Sequence, residues 1–416
     1  MTINAQSLTN KMSEFRLMVD EKKPQIISIT ESWGTDKISD GIFALKGYTM
    51  YRDDRNNDIN TTGGGTLLYI RENIEQRVCR PLNADNFASS TWCWIIEKNG
   101  KKILVGSVYR STSSSHANNK LLAKKIEKAC EIAGDNRLLI LGDFNLPKID
   151  WIHTELKEGF DANEENMFEV FTDCFLHQHV KKLTRFRNNE ASTLDLIFTN
   201  EEEDVKDIEV LQPLGLSDHG IVVGNFVCQW RSRVVQKSRR IYHKGNYGLI
   251  IEGLNSVNWE VEFENKSVQE CWDIFKDKLE ELVKEHVPMS QPKDHNEPWM
   301  NRLLMRQWKK IYFAWKRFTE TRSHTNYLLY KRETNLLKKN IRKTKRKYER
   351  KLANQARHNK RAFYRYVNSK LTVRPELTEI QNENGDMVDR EGEICNILGN
   401  ILVLFIPLDG MGSFRI

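Results

Sequence analysis

The feature that most constrains this chain is a set of short apolar runs that each meet a polar residue at one end. Residues 24–30 run into Glu31, residues 138–141 stop at Gly142-Asp143, and Leu194-Asp195-Leu196-Ile197-Phe198 carries a carboxylate at its start. Runs of about four to eight residues are too short for buried helices and too apolar for solvated faces, so they read as strands. Residues 92–97 and 102–109 add two more, joined by Asn99-Gly100, a pair suited to a hairpin turn. Gly63-Gly64-Gly65 feeds another strand at 66–70, and residues 220–226 form a further one. Between them lie stretches of helical period: Leu8, Met12, Phe15 and Val19 share one face, and residues 121–132 and 166–175 follow the same spacing. Strands with helices interspersed predict an α+β fold, in which sheets pack on each other and helices cover the outside. No internal repeat is present.

Beyond residue 228 the pattern changes. Residues 229–299 read as a connector with one amphipathic helix at 268–287, striped by Trp272, Phe275, Leu279 and Leu282, and interrupted by Pro288, Pro292 and Pro298. Residues 300–370 lack Pro and Gly and read as long helices. They hold 23 Lys and Arg against Glu320, Glu333 and Glu349, so the remainder of a chain of net charge +7 is acidic. Such asymmetry suits a polyanionic partner, and a solvated helical arm is the alternative. Trp308, Tyr312, Trp315 and Tyr330, interleaved with these cations, are open to two readings: base stacking or helix packing. Residues 371–416 read as a weakly structured tail with an apolar run at 401–406.

The seven cysteines form no Cys-x-x-Cys pair, which argues against a zinc or disulfide framework. No stretch approaches about 18 apolar residues, so no membrane partner is expected. The polar start lacks the regions of a signal peptide, and the expected location is nuclear or cytoplasmic.

The polar residues at the strand ends are Asn4, Glu31, Tyr109, Asp143, Asn145, Asp195, Asp218 and His219. Each is ordinary alone; Gly-Asp-x-Asn, for example, is a common turn. Together they supply what phosphodiester hydrolysis needs. Carboxylates suit a hard cation, and donors suit the non-bridging oxygens. A second carboxylate, Asp195, is available to orient an imidazole.

In order and spacing, these motifs resemble the endonuclease/exonuclease/phosphatase superfamily. Closer still is the endonuclease domain of non-LTR (LINE-type) retrotransposons. The carrying segments are Asn4-Ala5-Gln6-Ser7-Leu8, Ile29-Thr30-Glu31-Ser32-Trp33, Gly47-Tyr48 with Tyr51-Arg52, Gly63-Gly64-Gly65, Val108-Tyr109-Arg110, Leu141-Gly142-Asp143-Phe144-Asn145, Leu183-Thr184-Arg185, Thr193-Leu194-Asp195-Leu196-Ile197 and Leu216-Ser217-Asp218-His219. The resemblance implies a four-layer α/β/β/α sandwich over residues 1–228, followed by a basic helical extension. It implies a Mg²⁺-dependent DNA endonuclease, with Mn²⁺ as the alternative ion. Glu31 and Asp218 would be metal ligands, and Asp143 would position or deprotonate the attacking water. Asn4, Tyr109, Asn145 and His219 would hold the phosphate, with Asp195 orienting His219. Thr184 and Arg185 would either support the site residues from behind or be further phosphate or DNA contacts. The resemblance leaves the general base open between His219 and Asp143. DNA is the implied substrate, and RNA is a candidate partner for residues 300–370.

Residues 242–299 resemble the connector ahead of a reverse transcriptase, which implies an element lacking that polymerase. Two alternatives are a remnant that only binds nucleic acid and a phosphatase or phosphodiesterase of the same superfamily. Only Met1-Thr2-Ile3 precede Asn4, where the family places a strand, so a sheet without its central strand is expected.

Overall fold

The computed structural model describes residues 1–54, 63–84, 86–87, 89–187, 190–232, 240–289, 297–371, 380–382, 387–388 and 393–399. The expected apolar run at 401–406 lies outside them. Met1–Arg231 and Pro298–Ile416 form one compact unit, and Ser232–Glu297 a second. The strands of the first unit's two large sheets are β1 (Thr2–Asn4), β2 (Ile26–Thr30), β3 (Tyr48–Asp53), β4 (Thr66–Arg71), β5 (Gln76–Val78), β6 (Ser90–Ile96), β7 (Lys102–Tyr109), β8 (Arg137–Asp143), β9 (His177–Gln178), β10 (Asp195–Thr199), β11 (Val205–Leu211) and β12 (Ile221–Phe226). They make two six-stranded sheets, ordered β11-β12-β1-β2-β4-β3 and β9-β10-β8-β7-β6-β5.

The side-chain alternation of the strands separates three apolar layers. In β4, Leu67 and Tyr69 enter an outer core while Leu68 and Ile70 point between the sheets. In β8, Leu138 and Ile140 face the other outer core, and Leu139 and Leu141 meet Leu68 and Ile70 in the middle. Successive side chains leave a strand on opposite faces, so a run apolar at every position must be covered twice. Helix α1 (Met12–Lys22) covers the first sheet through Phe15, Leu17 and Met18. Helices α2 (His116–Ala133) and α3 (Ala162–Asp173) cover the second. The result is the expected four-layer α/β/β/α sandwich.

The central strand of the first sheet is present, contrary to the expectation that the short start would remove it. β1 is three residues long and fully buried. It runs parallel to β2, with Asn4 opposite Thr30, and antiparallel to β12, with Thr2 opposite Val222. A short strand suffices because its backbone groups pair on both sides. Next to Met1 a groove of about 1000 Å³ opens between the sheets, lined in part by Ile26, Leu141, Ile197 and Phe226; it holds none of the predicted site residues.

The basic segment contributes to the sandwich. Helices α5 (Arg302–Thr321) and α6 (His324–Gln355) form a hairpin, continued by α7 (Lys360–Leu371). Trp308, Ile311 and Trp315 of α5, with Tyr330, Leu337 and Ile341 of α6, enter the same outer core as Phe15 and Tyr69. This decides the two readings of the aromatic residues: Trp308, Trp315 and Tyr330 are buried helix-packing residues. Tyr312 is part-buried, its hydroxyl donating to Glu209. In the second unit, α4 (Val268–His286) follows a full capping box at Ser267 and Glu270 and packs through Leu279, Leu282 and Val283 on Ile250 and Leu254. No helix among the described residues is long and apolar enough to cross a membrane.

Candidate active site

The predicted residues arrive from both sheets because matching ends of the central strands lie side by side. Asn4 ends β1, Glu31 follows β2, Tyr109 ends β7, and Asp143 ends β8. In the second sheet, Tyr109 stands opposite Asp143 across a parallel pair, and Asp195 opposite Asp143 across an antiparallel one. Gly142 makes this register possible. A Cβ there would lie 1.8 Å from the Val108 carbonyl oxygen, so the backbones can approach this closely only at glycine. The Gly-Asp-x-Asn motif thus ends a buried strand and does not simply turn the chain.

One amide links two carboxylates. Asn4 Nδ2 donates to Glu31 Oε1 at 3.0 Å and to Asp143 Oδ2 at 2.7 Å. Asn145 Nδ2 donates to the same Asp143 oxygen at 3.0 Å, and its backbone N–H to Asp143 Oδ1 at 3.1 Å. Glu31 also accepts from Tyr109 Oη at 3.2 Å and from Trp33 Nε1 at 3.3 Å. On the other side, His219 Nδ1 is 2.8 Å from Asp195 Oδ2, both side chains buried. His219 Nε2 lies 3.8 Å from Asp218 Oδ1. Asp218 accepts from Gln6 Nε2 and from Arg185 Nε, the latter at 3.0 Å. All eight predicted catalytic residues therefore join two adjoining networks.

The electrostatics follow from burial within a crowd of acids. Burial drives the Asp143 carboxyl upward, Asp195 and Glu31 add to it, and its proton affinity rises to about 7 despite the opposing hydrogen bond from Asn4 and the charge of His219. Burial, the largest single effect, would lower the His219 imidazole, but the Asp195, Asp143 and Asp218 carboxylates together outweigh it and raise the imidazole to about 9. Burial next to Glu31 and Asp143 lifts the Tyr109 phenol well above its usual range, so it remains a donor. At Asp218 burial pulls upward, yet His219 and Arg185 hold the carboxyl below its ordinary value.

Several residues have roles that the sequence reading did not assign. Thr184 is fully buried, and its hydroxyl accepts the backbone N–H groups of Leu194 and Asp195 at 3.0 and 3.1 Å. It positions Asp195 from behind, the supporting role expected as one of its two alternatives, although the sequence did not say which residue it would support. Arg185 meets Asp218 before any substrate. Gln6 and Trp33 lie within motifs already singled out, but only the tertiary structure aims them at Asp218 and Glu31. Arg110 is buried and donates to Asn119 Oδ1, Phe144 O and Asn145 O, locking the loop after β8. Ser217 Oγ donates to Asn4 O at 3.1 Å and accepts the His219 N–H, tying the two networks together. Gln6, Ser7, Glu31, Trp33 and Asn145 all have positive φ, between 42° and 74°. Non-glycine residues adopt this region at a cost, and such strain gathers where side chains must be aimed.

The donor set fits a hard divalent cation. Glu31, Asp143, Asp195 and Asp218 crowd together, and Asp195 Oδ1 is buried with no hydrogen-bond partner among the described residues. Asp143, Asp195 and His219 bring ligand atoms within 4.8 Å of one another. The Asp195–His219 contact already occupies Asp195 Oδ2 and His219 Nδ1 as a hydrogen bond. Glu31 and Asp218, less buried and at the rim of the networks, are the better ligands for an ion that keeps water and reaches a phosphate.

Residues 103–223 match the sequence family described as endonuclease-reverse transcriptase. No curated protein matches the chain. Among solved structures, the endonuclease domain of TRAS1, a telomere-specific non-LTR retrotransposon, is 17% identical, covers 55% of this chain and 97% of its own, and has a TM-score of 0.44. A 3′-5′ exonuclease from Neisseria meningitidis is 18% identical over 55% of this chain and 98% of its own, with a TM-score of 0.42. An AP endonuclease from Leishmania major is 13% identical over 54% and 86%, with a TM-score of 0.44.

Proposed function

We propose that this chain, which matches the endonuclease-reverse transcriptase family over residues 103–223, belongs to the endonuclease/exonuclease/phosphatase superfamily and is a Mg²⁺-dependent endonuclease that nicks DNA. The observation that carries this reading is the Asn4 bridge between Glu31 and Asp143. It joins a carboxylate suited to a cation to one whose proton affinity lies near neutrality. A general base works best in that range.

Glu31 and Asp218 would hold the ion, with Mn²⁺ as the alternative to Mg²⁺. When bound, the ion neutralises charge developing on the phosphate. Asn4 and Asn145 keep the Asp143 carboxylate oriented, so Asp143 can accept a proton from the attacking water. His219, protonated below about pH 9 and fixed through Nδ1 by Asp195, has Nε2 left to donate to a non-bridging oxygen. Tyr109 offers a second donor, a neutral one. Attack on phosphorus forms the new P–O bond that stays on the 5′-phosphate and breaks the bond to O3′, which leaves as the alkoxide and takes up a proton from solvent to give the 3′-hydroxyl. A non-LTR retrotransposon origin is part of this proposal and draws support from the family description and from the connector-like residues 242–299.

The test is relaxation of supercoiled plasmid in Mg²⁺. Nicking should stop in EDTA, and Asp143→Asn should slow it by about 10²- to 10⁴-fold, the usual worth of a general base. Equal nicking by the variant and the parent would refute the assignment. Turnover of a soluble phosphomonoester without plasmid nicking would favour the phosphatase alternative.

A further inference from the structure

We propose that the exposed face of α6 is a track for the duplex DNA that flanks the scissile phosphate, holding it through its backbone alone. This deepens the nuclease reading and rests on it for the identity of the polyanion.

Eight cations, Lys338, Lys339, Arg342, Lys343, Arg346, Lys347, Arg350 and Lys351, recur in adjacent pairs every four residues, and every one is exposed. Because four residues slightly exceed one 3.6-residue turn, this spacing lays them in a broad band that winds slowly along one side of the helix. Among the described residues, none of the eight is in an ion pair. The opposite face carries Tyr330, Thr334, Leu337 and Ile341, all buried in the unit's core. The face is therefore held by the sandwich and is not a free arm. A helix rises about 1.5 Å per residue, so Lys338 to Arg350 span about 18 Å, or about five base pairs of duplex axis.

The track leads to the candidate site. Tyr330 Oη donates to Gly215 O at 3.0 Å, which seats α6 on the loop that carries Asp218 and His219. Lys338 lies close enough to Lys11 and Glu14 to lower the proton affinity of both. Lys11 Nζ in turn donates to Ala5 O at 2.6 Å and Gln6 O at 3.1 Å, and Gln6 donates to Asp218. Positive charge thus continues from α6 through Lys11 to the rim of the acidic cluster. The cluster repels a polyanion, and the track compensates for that repulsion outside the cleft. Cations on a regular helix face read phosphates and not base edges, so the contact carries no sequence preference.

The test uses the full chain with Lys338, Arg342, Arg346 and Arg350 each changed to Gln. A control variant loses the same charge elsewhere, with Lys98, Lys101, Lys120 and Lys124 changed to Gln. Anisotropy of a labelled duplex is measured in EDTA from 50 to 200 mM salt. Four lost phosphate contacts flatten the log–log salt slope by about 3.6, so this rise in salt costs the parent about 150-fold more affinity than the α6 variant. The control should keep the parent's slope. In Mg²⁺, the α6 variant should show a raised KM for plasmid and an unchanged kcat. An unchanged slope, an equal loss in both variants, or an effect seen with an RNA hairpin but not with duplex DNA would overturn the proposal. Salt-dependent binding by a parent that never nicks would sink the nuclease reading and leave the track standing.

Discussion

At Asp143, burial and hydrogen bonding pull a proton in opposite directions. The surrounding amides favour the carboxylate, while the low-dielectric site and its acidic neighbours favour the acid. His219 shows the reverse balance, because its nearest neighbour is a buried carboxylate. Asp195 and His219 should therefore behave as one unit. Removing either leaves its partner buried and uncompensated, as expected for a tight charged pair. In single-turnover nicking, Asp195→Ala and His219→Ala should each lose most of what the double variant loses, a strongly non-additive cycle. Additive losses would show that the two act separately. Arg110 and Thr184 affect the reaction indirectly, since they fix loops and backbone and touch neither carboxylate network from the open side.

Among the elements, α6 has two faces with different roles. Its inner face closes the outer core through Tyr330 and Leu337, against Trp315 of α5 at a ring separation of 5.0 Å for Tyr330. Trp315 also meets Phe186 edge-on at 4.9 Å, linking the helical hairpin to the Arg185–Arg187 strand beside the site. Trp315→Ala should cost about 3–5 kcal/mol, the usual loss for a large buried aromatic, read as a shift in urea midpoint at unchanged m-value. A loss under about 1 kcal/mol would mean that α5 is only loosely attached.

Glu14 of α1 lies where α1, α6 and the loop at Gly215 converge. It accepts the Gly215 N–H at 3.0 Å, and Lys11 and Lys338 face it. Burial is the largest effect and raises its carboxyl from 4.5 to about 7. Because the folded value exceeds the unfolded one for an acid, the penalty is absent below about pH 4.5, grows as pH rises towards 7, and is complete above it. Glu14→Gln, which resembles the protonated form, should stabilise the protein by up to about 3 kcal/mol at pH 8 and by little at pH 4.5. Equal melting shifts at the two pH values would contradict this.

For the whole molecule, the unit that folds is not a contiguous stretch of chain. Met1–Arg231 and Pro298–Ile416 belong together, although Ser232–Glu297 lies between them in sequence. A fragment of residues 1–231 would expose the face of α1 and the first sheet that Trp308, Ile311, Trp315 and Leu337 cover. Uncovering so large an apolar patch favours aggregation. The fragment should melt at a lower temperature than the full chain and bind more of a hydrophobic dye. Matching melting curves would refute a shared core.

The sequence alone specified the residue types at the strand ends, the alternation of short apolar runs with helices, and the order of the polar motifs. Those properties are local, because a run of seven residues such as β8 displays its two-sided burial in its own composition. It also specified the concentration of charge in residues 300–370. Only the tertiary structure decided that Asn4 bridges Glu31 and Asp143, that Thr184 supports Asp195, and that a three-residue β1 is enough. It also decided that Trp308, Trp315 and Tyr330 face inward while eight lysines and arginines of α6 face out beside the site. These outcomes depend on which distant segments become neighbours, and a backbone pairing such as Asp195 with Asp143 leaves no mark in either segment read alone.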